Sequence, residues 1–172
     1  VEERKGHKFI INAISKLIDK FPNLIYLIAG KGPYLEEIKK YVTKLSLENH
    51  VVFLGWITEP EKSLILKNSE IFAMTPTTVG ESVEGFGMAF IDAAFHGIPS
   101  VGSRSGGISD AIIENETGLL AEAGNQEEIT KKLTELLDNV ELRTKLGKRG
   151  KEIAESQYSW DNKIIEYLEA AN

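Results

Sequence analysis

The stretch from Glu84 to Gly107, E-G-F-G-M-A-F-I-D-A-A-F-H-G-I-P-S-V-G-S-R-S-G-G, constrains this chain more than any other. G-F-G has the look of a helix start near Phe86. An apolar helix follows, and Gly97 and Pro99 stop it and lead into a short strand at Ser100-Val101-Gly102. Gly106-Gly107 makes a second tight turn ahead of a helix from about Ile108 to Glu114. Helix, strand and helix in this space commit the segment to alternating α/β layers. A helix N-terminus offers free N–H groups and the positive end of a dipole, which suits an anion. Gly85 and Gly87 let that backbone approach a ligand without a Cβ in the way. Two carboxylates flank the site, Glu84 before the helix and Asp92 eight positions on. At 1.5 Å per residue, Asp92 lies about 9 Å along the axis from Phe86. For two acids alone, a solvated Glu and a mid-helix Asp is the commoner arrangement. Asp92, however, stands among Phe90, Ile91, Ala93 and Ala94, where a carboxylate needs a partner. A ligand with an anionic middle and hydroxyls at both ends, a sugar-diphosphate-ribose, matches that layout.

The flanking chain repeats the alternation. Phe9, Ile10, Ala13, Ile14, Leu17, Ile18 and Phe21 give one buried helical face over 7–21. Leu24 to Ala29 is a continuous apolar run, as expected of a parallel strand covered on both faces. Gly30-Lys31-Gly32-Pro33 follows it, either plain strand-to-helix punctuation or a phosphate turn; it lacks the third glycine of G-x-G-x-x-G. A helix striped by Leu35, Ile38, Val42 and Leu45 comes next, then a strand over 51–54 and Gly55-Trp56-Ile57. Trp56 either packs on a base or lines the core, and packing in the core is the expected arrangement. A polar helix opens at Pro60-Glu61, and a third strand spans 71–74. Beyond the central segment come a strand over 117–120, a helix opened by a capping box of Asn125 with Glu128 three positions on, a long helix over 141–157, and a last amphipathic helix from Tyr158-Ser159-Trp160 carrying Ile164, Ile165 and Leu168. The expected fold is α/β, a Rossmann-like doubly wound parallel sheet in one domain spanning 1–172, with its ligand beyond the carboxyl ends of the strands.

Bulk properties narrow the function. A net charge of −6 argues against nucleic-acid binding by bulk electrostatics. With no cysteine there is no disulfide framework, thiol nucleophile or zinc-thiolate site, and the cytoplasm is the expected compartment. No apolar run approaches the length of a membrane span. His7, His50 and His96 have no metal-ligand spacing, so no metal site is expected; His96 reads as a helix C-cap.

The ordered set E-R-K-G-H, L-I-A-G-K-G-P, V-V-F-L-G-W-I, T-P-T-T, E-G-F-G-M-A-F-I-D-A-A-F-H-G-I-P-S-V, S-G-G-I-S-D, E-N-E-T-G-L-L and Y-S-W resembles the retaining GT-B glycosyltransferases of glycosyltransferase family 4 (group 1). The resemblance covers nearly the whole chain. It implies the C-terminal half of a GT-B fold, excised from a two-domain enzyme whose N-terminal domain would bind the acceptor and carry any membrane association. The parent would be a hexosyltransferase, and the isolated fragment would be inactive. The resemblance makes Glu84 and Lys5 the catalytic residues: Glu84 on donor-sugar hydroxyls, Lys5 offsetting the departing diphosphate. The donor-binding set it implies is Gly30 and Gly32 at the cleft edge, the backbone of Gly55, Trp56 and Ile57 at the base, and Glu84, Gly85, Phe86, Gly87 and Met88 at sugar and phosphate. Asp92, where the family usually has Glu, would bind ribose, and Gly106 and Gly107 would approach sugar or diphosphate. No cofactor or metal is implied; the substrate would be a UDP- or GDP-type sugar. Arg4 is not the family arginine, and by its own sequence context Arg4-Lys5 reads as a solvated helix start. Two rival readings stand beside this one: a non-catalytic binding or interaction module of the same fold, and, more weakly, a sugar-nucleotide epimerase.

Overall fold

The structure, a computed structural model, describes residues 1–159. The expected helix from Trp160 onward, with Ile164, Ile165 and Leu168, lies outside the described residues. In chain order come a 3-10 turn (Glu3–Lys5), α1 (His7–Leu17), β1 (Tyr26–Ala29), α2 (Leu35–Lys44), β2 (Val51–Gly55), α3 (Glu59–Lys67), β3 (Phe72–Ala73), α4 (Met88–Phe95), β4 (Ser100–Arg104), α5 (Ile108–Ala111), β5 (Gly118–Glu122), α6 (Gln126–Asp138) and α7 (Val140–Gln157). The elements occur in the order the periodicities predict, with shorter bounds at α1, β1, β3 and α5. Among the described residues, the paired strands are parallel, but they form two ladders, β1–β2 and β3–β4–β5.

The strands differ in cover. β4 and β5 are buried along their first four residues, as both-face cover requires. β1 is not: Ile28 is buried, but Leu27 is 39% exposed and Ile25, just ahead of the strand, is 47% exposed. This corrects the expectation of cover on both faces. Among the described residues, one edge of β1 has no neighbouring strand.

The main core joins Ile10, Ile11 and Ile14 of α1, Ile38 of α2, Leu119 of β5 and Leu136 of α6. A second cluster gathers Phe90, Ile108, Ile112 and Leu120 beneath the start of α4. Phe72 and Phe90 meet edge-to-face there, with ring centroids 5.3 Å apart.

Local chemistry fixes the helix ends. Thr58 and Glu61 form a reciprocal capping box at α3. Asn125 caps α6 by accepting from the Glu128 N–H, while Glu128 itself accepts from the Glu122 N–H rather than closing a box on the Asn125 backbone. α4 ends in a Schellman motif: Ile98 N–H donates to Ala93 O (3.1 Å), Gly97 N–H to Ala94 O (2.8 Å), and Gly97 takes φ +73°. α7 crosses this turn with Gly147 so close to the Gly97 carbonyl that any side chain would collide with it. Among the described residues, no helix is long and apolar enough to cross a membrane.

Candidate functional site

The carboxyl ends of β3 and β4 and the start of α4 bring the central residues together. Glu84 is only 8% exposed. Its Oε2 accepts hydrogen bonds from both Arg4 Nη1 and Lys5 Nζ, the latter at 2.6 Å. Arg4 also pairs through Nε with Glu2 at 2.7 Å. The Arg4 carbonyl accepts from the Thr77 N–H at 2.8 Å, which ties the first turn to the end of β3. The solvated helix start expected from local sequence is therefore wrong. An ion pair spanning about 80 positions of chain holds both cations at the mouth of the site, and no local pattern reveals it.

α4 begins at Met88, two residues later than expected, with Gly87 as N-cap at φ +78°. Gly85 has open space around it, and Met88 is 61% exposed. Phe86 is held by Tyr158, with ring centroids 5.7 Å apart. Gly106 and Gly107 play a different part from the one expected. A Cβ on Gly106 would run into the Glu84 carbonyl, and one on Gly107 would meet the Gly85 carbonyl. The Gly107 N–H already donates to Gly85 O at 2.9 Å. This pair buttresses the 84–86 segment from behind, and the Gly107 amide is spent on that support.

Asp92 sits one turn into α4, about 6 Å from Met88. It has the partner its surroundings demand: Lys62 Nζ of α3 lies 2.9 Å from Oδ2 and 2.7 Å from Glu59. The hydrogen bonds to Glu59 and then to Asp92 raise the Lys62 pKa. His96 C-caps α4 as expected and stitches it to α3. Its Nδ1–H donates to the Asp92 carbonyl at 2.8 Å, and Nε2 lies 2.9 Å from Ser63 Oγ. Lys62 escaped sequence reading because its partner stands thirty positions away.

At the ends of β1 and β2, Gly30 N–H donates to Gly55 O at 2.6 Å, and both glycines face open space. Gly32 does not, because the Val1 backbone fills the space over it. Trp56 is 75% exposed, which overturns the expected core packing; β2 ends at Gly55 and the indole projects past the sheet. Ile57 lines a cavity of about 650 Å³ that also reaches Lys5, Lys62 and Asp92. His7, in the same cavity, lies 2.9 Å from the Tyr26 hydroxyl. Burial, with the N-terminal ammonium and Lys5 adding to it, pushes its pKa down to about 4. Two cations on one carboxylate stand beside an open helix N-terminus, an arrangement that suits an anion.

The comparisons agree with this geometry. The chain belongs to the glycosyl transferases group 1 family, whose model matches residues 1–153. It is 28% identical over 170 residues to the GDP-mannose-dependent alpha-(1-6)-phosphatidylinositol monomannoside mannosyltransferase of Mycobacterium tuberculosis, covering 96% of this chain and 44% of that protein. Anabaena Alr3699/HepE in complex with UDP superposes with a TM-score of 0.84 at 21% identity, over 99% of this chain and 46% of that one. The C-terminal domain of the group 1 glycosyl transferase LpcC from Francisella tularensis superposes at 0.81 and 21% identity, over 93% and 83%. The fold is thus the Rossmann-like α/β fold of the C-terminal domain of GT-B glycosyltransferases. The chain spans less than half the length of the full-length mycobacterial relative.

Proposed function

We propose that this chain is the donor-binding domain of a longer, two-domain glycosyltransferase, of family 4 and hexosyltransferase type, which transfers a sugar from a nucleoside diphosphate with retention of configuration. The observation that carries this reading is the convergence of Arg4 and Lys5 on Glu84 beside the N-terminus of α4. In the reading, a diphosphate takes over the two cations and the amides near Phe86, Gly87 and Met88. Glu84, released, accepts from sugar hydroxyls. Asp92 and Lys62 face the ribose, and the backbone at Gly55, Trp56 and Ile57 faces the base. Positive charge fixed where the leaving diphosphate develops its own charge lowers the barrier to departure. Lysine, arginine and helix dipole supply that charge without a metal or cofactor. The acceptor belongs to the rest of the longer protein, which works in the cytoplasm, and any membrane association belongs to its other domain. The relatives support a nucleotide sugar without fixing the base: one is named for GDP-mannose and another holds UDP.

Calorimetric titration of the longer protein and of this chain with UDP-, GDP- and ADP-sugars tests the reading. One nucleotide sugar is expected to bind, and Glu84→Ala and Lys5→Ala are each expected to weaken it by about tenfold or more, the scale of a lost charged hydrogen bond. Absence of binding by the longer protein to every sugar nucleotide, or indifference to both substitutions, overturns it.

A further inference from the structure

The seam between α3 and α4 holds an ion pair whose hydrogen-bonding capacity is only partly used. Lys62 Nζ donates to Asp92 Oδ2 at 2.9 Å and lies 2.7 Å from a Glu59 oxygen. An ammonium has three N–H groups, so one remains. Of the two Asp92 carboxylate oxygens, Oδ1 has no partner among the described residues. The Lys62 and Asp92 side chains are 33% and 37% exposed, so a ligand can reach both. They border the same space as Lys5 and Ile57. The pair therefore presents one unused donor beside one unused acceptor.

The backbone holds that arrangement from both sides. The Thr58–Glu61 capping box fixes the start of α3, one turn ahead of Lys62. His96 ties the Asp92 carbonyl to Ser63, the residue after Lys62, through Nδ1 at 2.8 Å and Nε2 at 2.9 Å. The two helices are thus stitched at a second point that does not involve the ammonium.

The unused groups select their ligand. A carboxylate oxygen asks for a proton donor, and an ammonium N–H asks for a lone pair. Two adjacent hydroxyls answer both at once, one donating to Oδ1 and the other accepting from Nζ. A phosphate would be repelled by the Asp92 charge, and an apolar group would leave both without partners. In a nucleoside diphosphate the one vicinal diol is that of the ribose.

We propose that Lys62 is a specificity-determining residue of the donor site: its third N–H donates to one hydroxyl of the ribose diol while Asp92 Oδ1 accepts from the other. The donor is therefore a ribonucleoside diphosphate sugar, and a 2′-deoxyribose donor is rejected. The inference rests on the donor-binding reading and adds to it the group that reads the ribose.

Calorimetry on the longer protein with UDP, GDP and ADP, each beside its 2′-deoxy and 3′-deoxy forms, tests it. These probes carry no transferred sugar, so ribose supplies their only diol. For whichever nucleotide binds, loss of either hydroxyl is expected to weaken binding by about tenfold, the scale of a hydrogen bond to a charged group. Lys62→Met keeps the apolar stem and removes the ammonium. It is expected to abolish one of the two penalties while binding that deoxy form as tightly as the parent protein does. Weakening of ribo and deoxy forms alike, with both penalties kept, would make Lys62 a structural residue and overturns the proposal. Ser63→Ala cuts the neighbouring stitch to His96 and is expected to keep both penalties. Loss of either penalty there would assign the effect to the seam and also overturns the proposal. Equal binding of ribo and deoxy forms by the parent protein overturns it while leaving the donor-binding reading standing. Absence of binding by every nucleotide overturns both. If Lys62→Met fails to fold, nuclear Overhauser contacts between the Lys62 ε-methylene and the ribose protons in the parent complex decide, their presence supporting the contact and their absence overturning it.

Discussion

The ladder β3–β4–β5 and the ladder β1–β2 are built from similar residues and end up in different states. β4 and β5 lie among α4, α5, α6 and α7, and Val101, Leu119 and Ala121 are fully buried or nearly so. β1 carries an equally apolar Y-L-I-A, yet leaves Leu27 39% exposed. Hydrophobicity sets which residues can be covered. Neighbouring strands set which ones are, and what an apolar side chain contributes to stability depends on the second condition.

The largest test of that contrast is a pair of truncations. Leu119→Ala, at a site 1% exposed, is expected to cost about 3 kcal/mol in urea unfolding. Leu27→Ala is expected to cost under about 1 kcal/mol in this chain, since little burial is lost. Equal costs would break the comparison.

Next in size is a pH effect confined to the β1 side. The folded His7 pKa of about 4 lies below its unfolded value of 6.5, because burial disfavours the imidazolium. Between those values the unfolded chain binds more protons, so stability is full above pH 6.5 and falls as pH drops toward 4. The loss attached to this group is at most about 3 kcal/mol at 1.36 kcal/mol per pKa unit. Unfolding curves at pH 7 and pH 4.5 for the parent and for His7→Gln check it. The difference between the two proteins shrinks at acid pH if the assignment holds, and stays constant if His7 is already charged in the fold.

The smallest expected effect should ignore the contrast altogether. Thr58→Ala at α3 and Asn125→Ala at α6 each remove a side chain that accepts from a first-turn N–H. Each is expected to cost about 1 kcal/mol by thermal unfolding, whichever ladder lies nearby, because a cap is a local interaction.

What the sequence made legible follows the same division between local and distant causes. The Asn125 cap, the stop at Gly97 and the strand at Ser100-Val101 depend on residues within a few positions of one another, and all stand where expected. The element order and the parallel α/β class also follow from short periodicities. The larger failures involve remote partners. Arg4 and Lys5 take their places from Glu84, Asp92 takes its partner from Lys62, and Gly106 is a glycine because Glu84 passes over it. Trp56 misled because a large apolar side chain usually packs, whereas here it stands past the end of β2 and projects into solvent. Of the expected donor residues, Lys5, Glu84, Gly85, Gly106 and Gly107 share one contact network. Gly30 and Gly55 form a separate pair at the ends of β1 and β2.

The seam where Gly147 of α7 meets the Gly97 carbonyl has a consequence at the opposite end of α4. Backbone against backbone leaves no rotamer to absorb slack, so α4 is clamped at its tail as a rod is held in a vice. In the proposed reading, the amides at its other end are held in place before the anion arrives, so the ligand loses its own freedom without also having to still the helix.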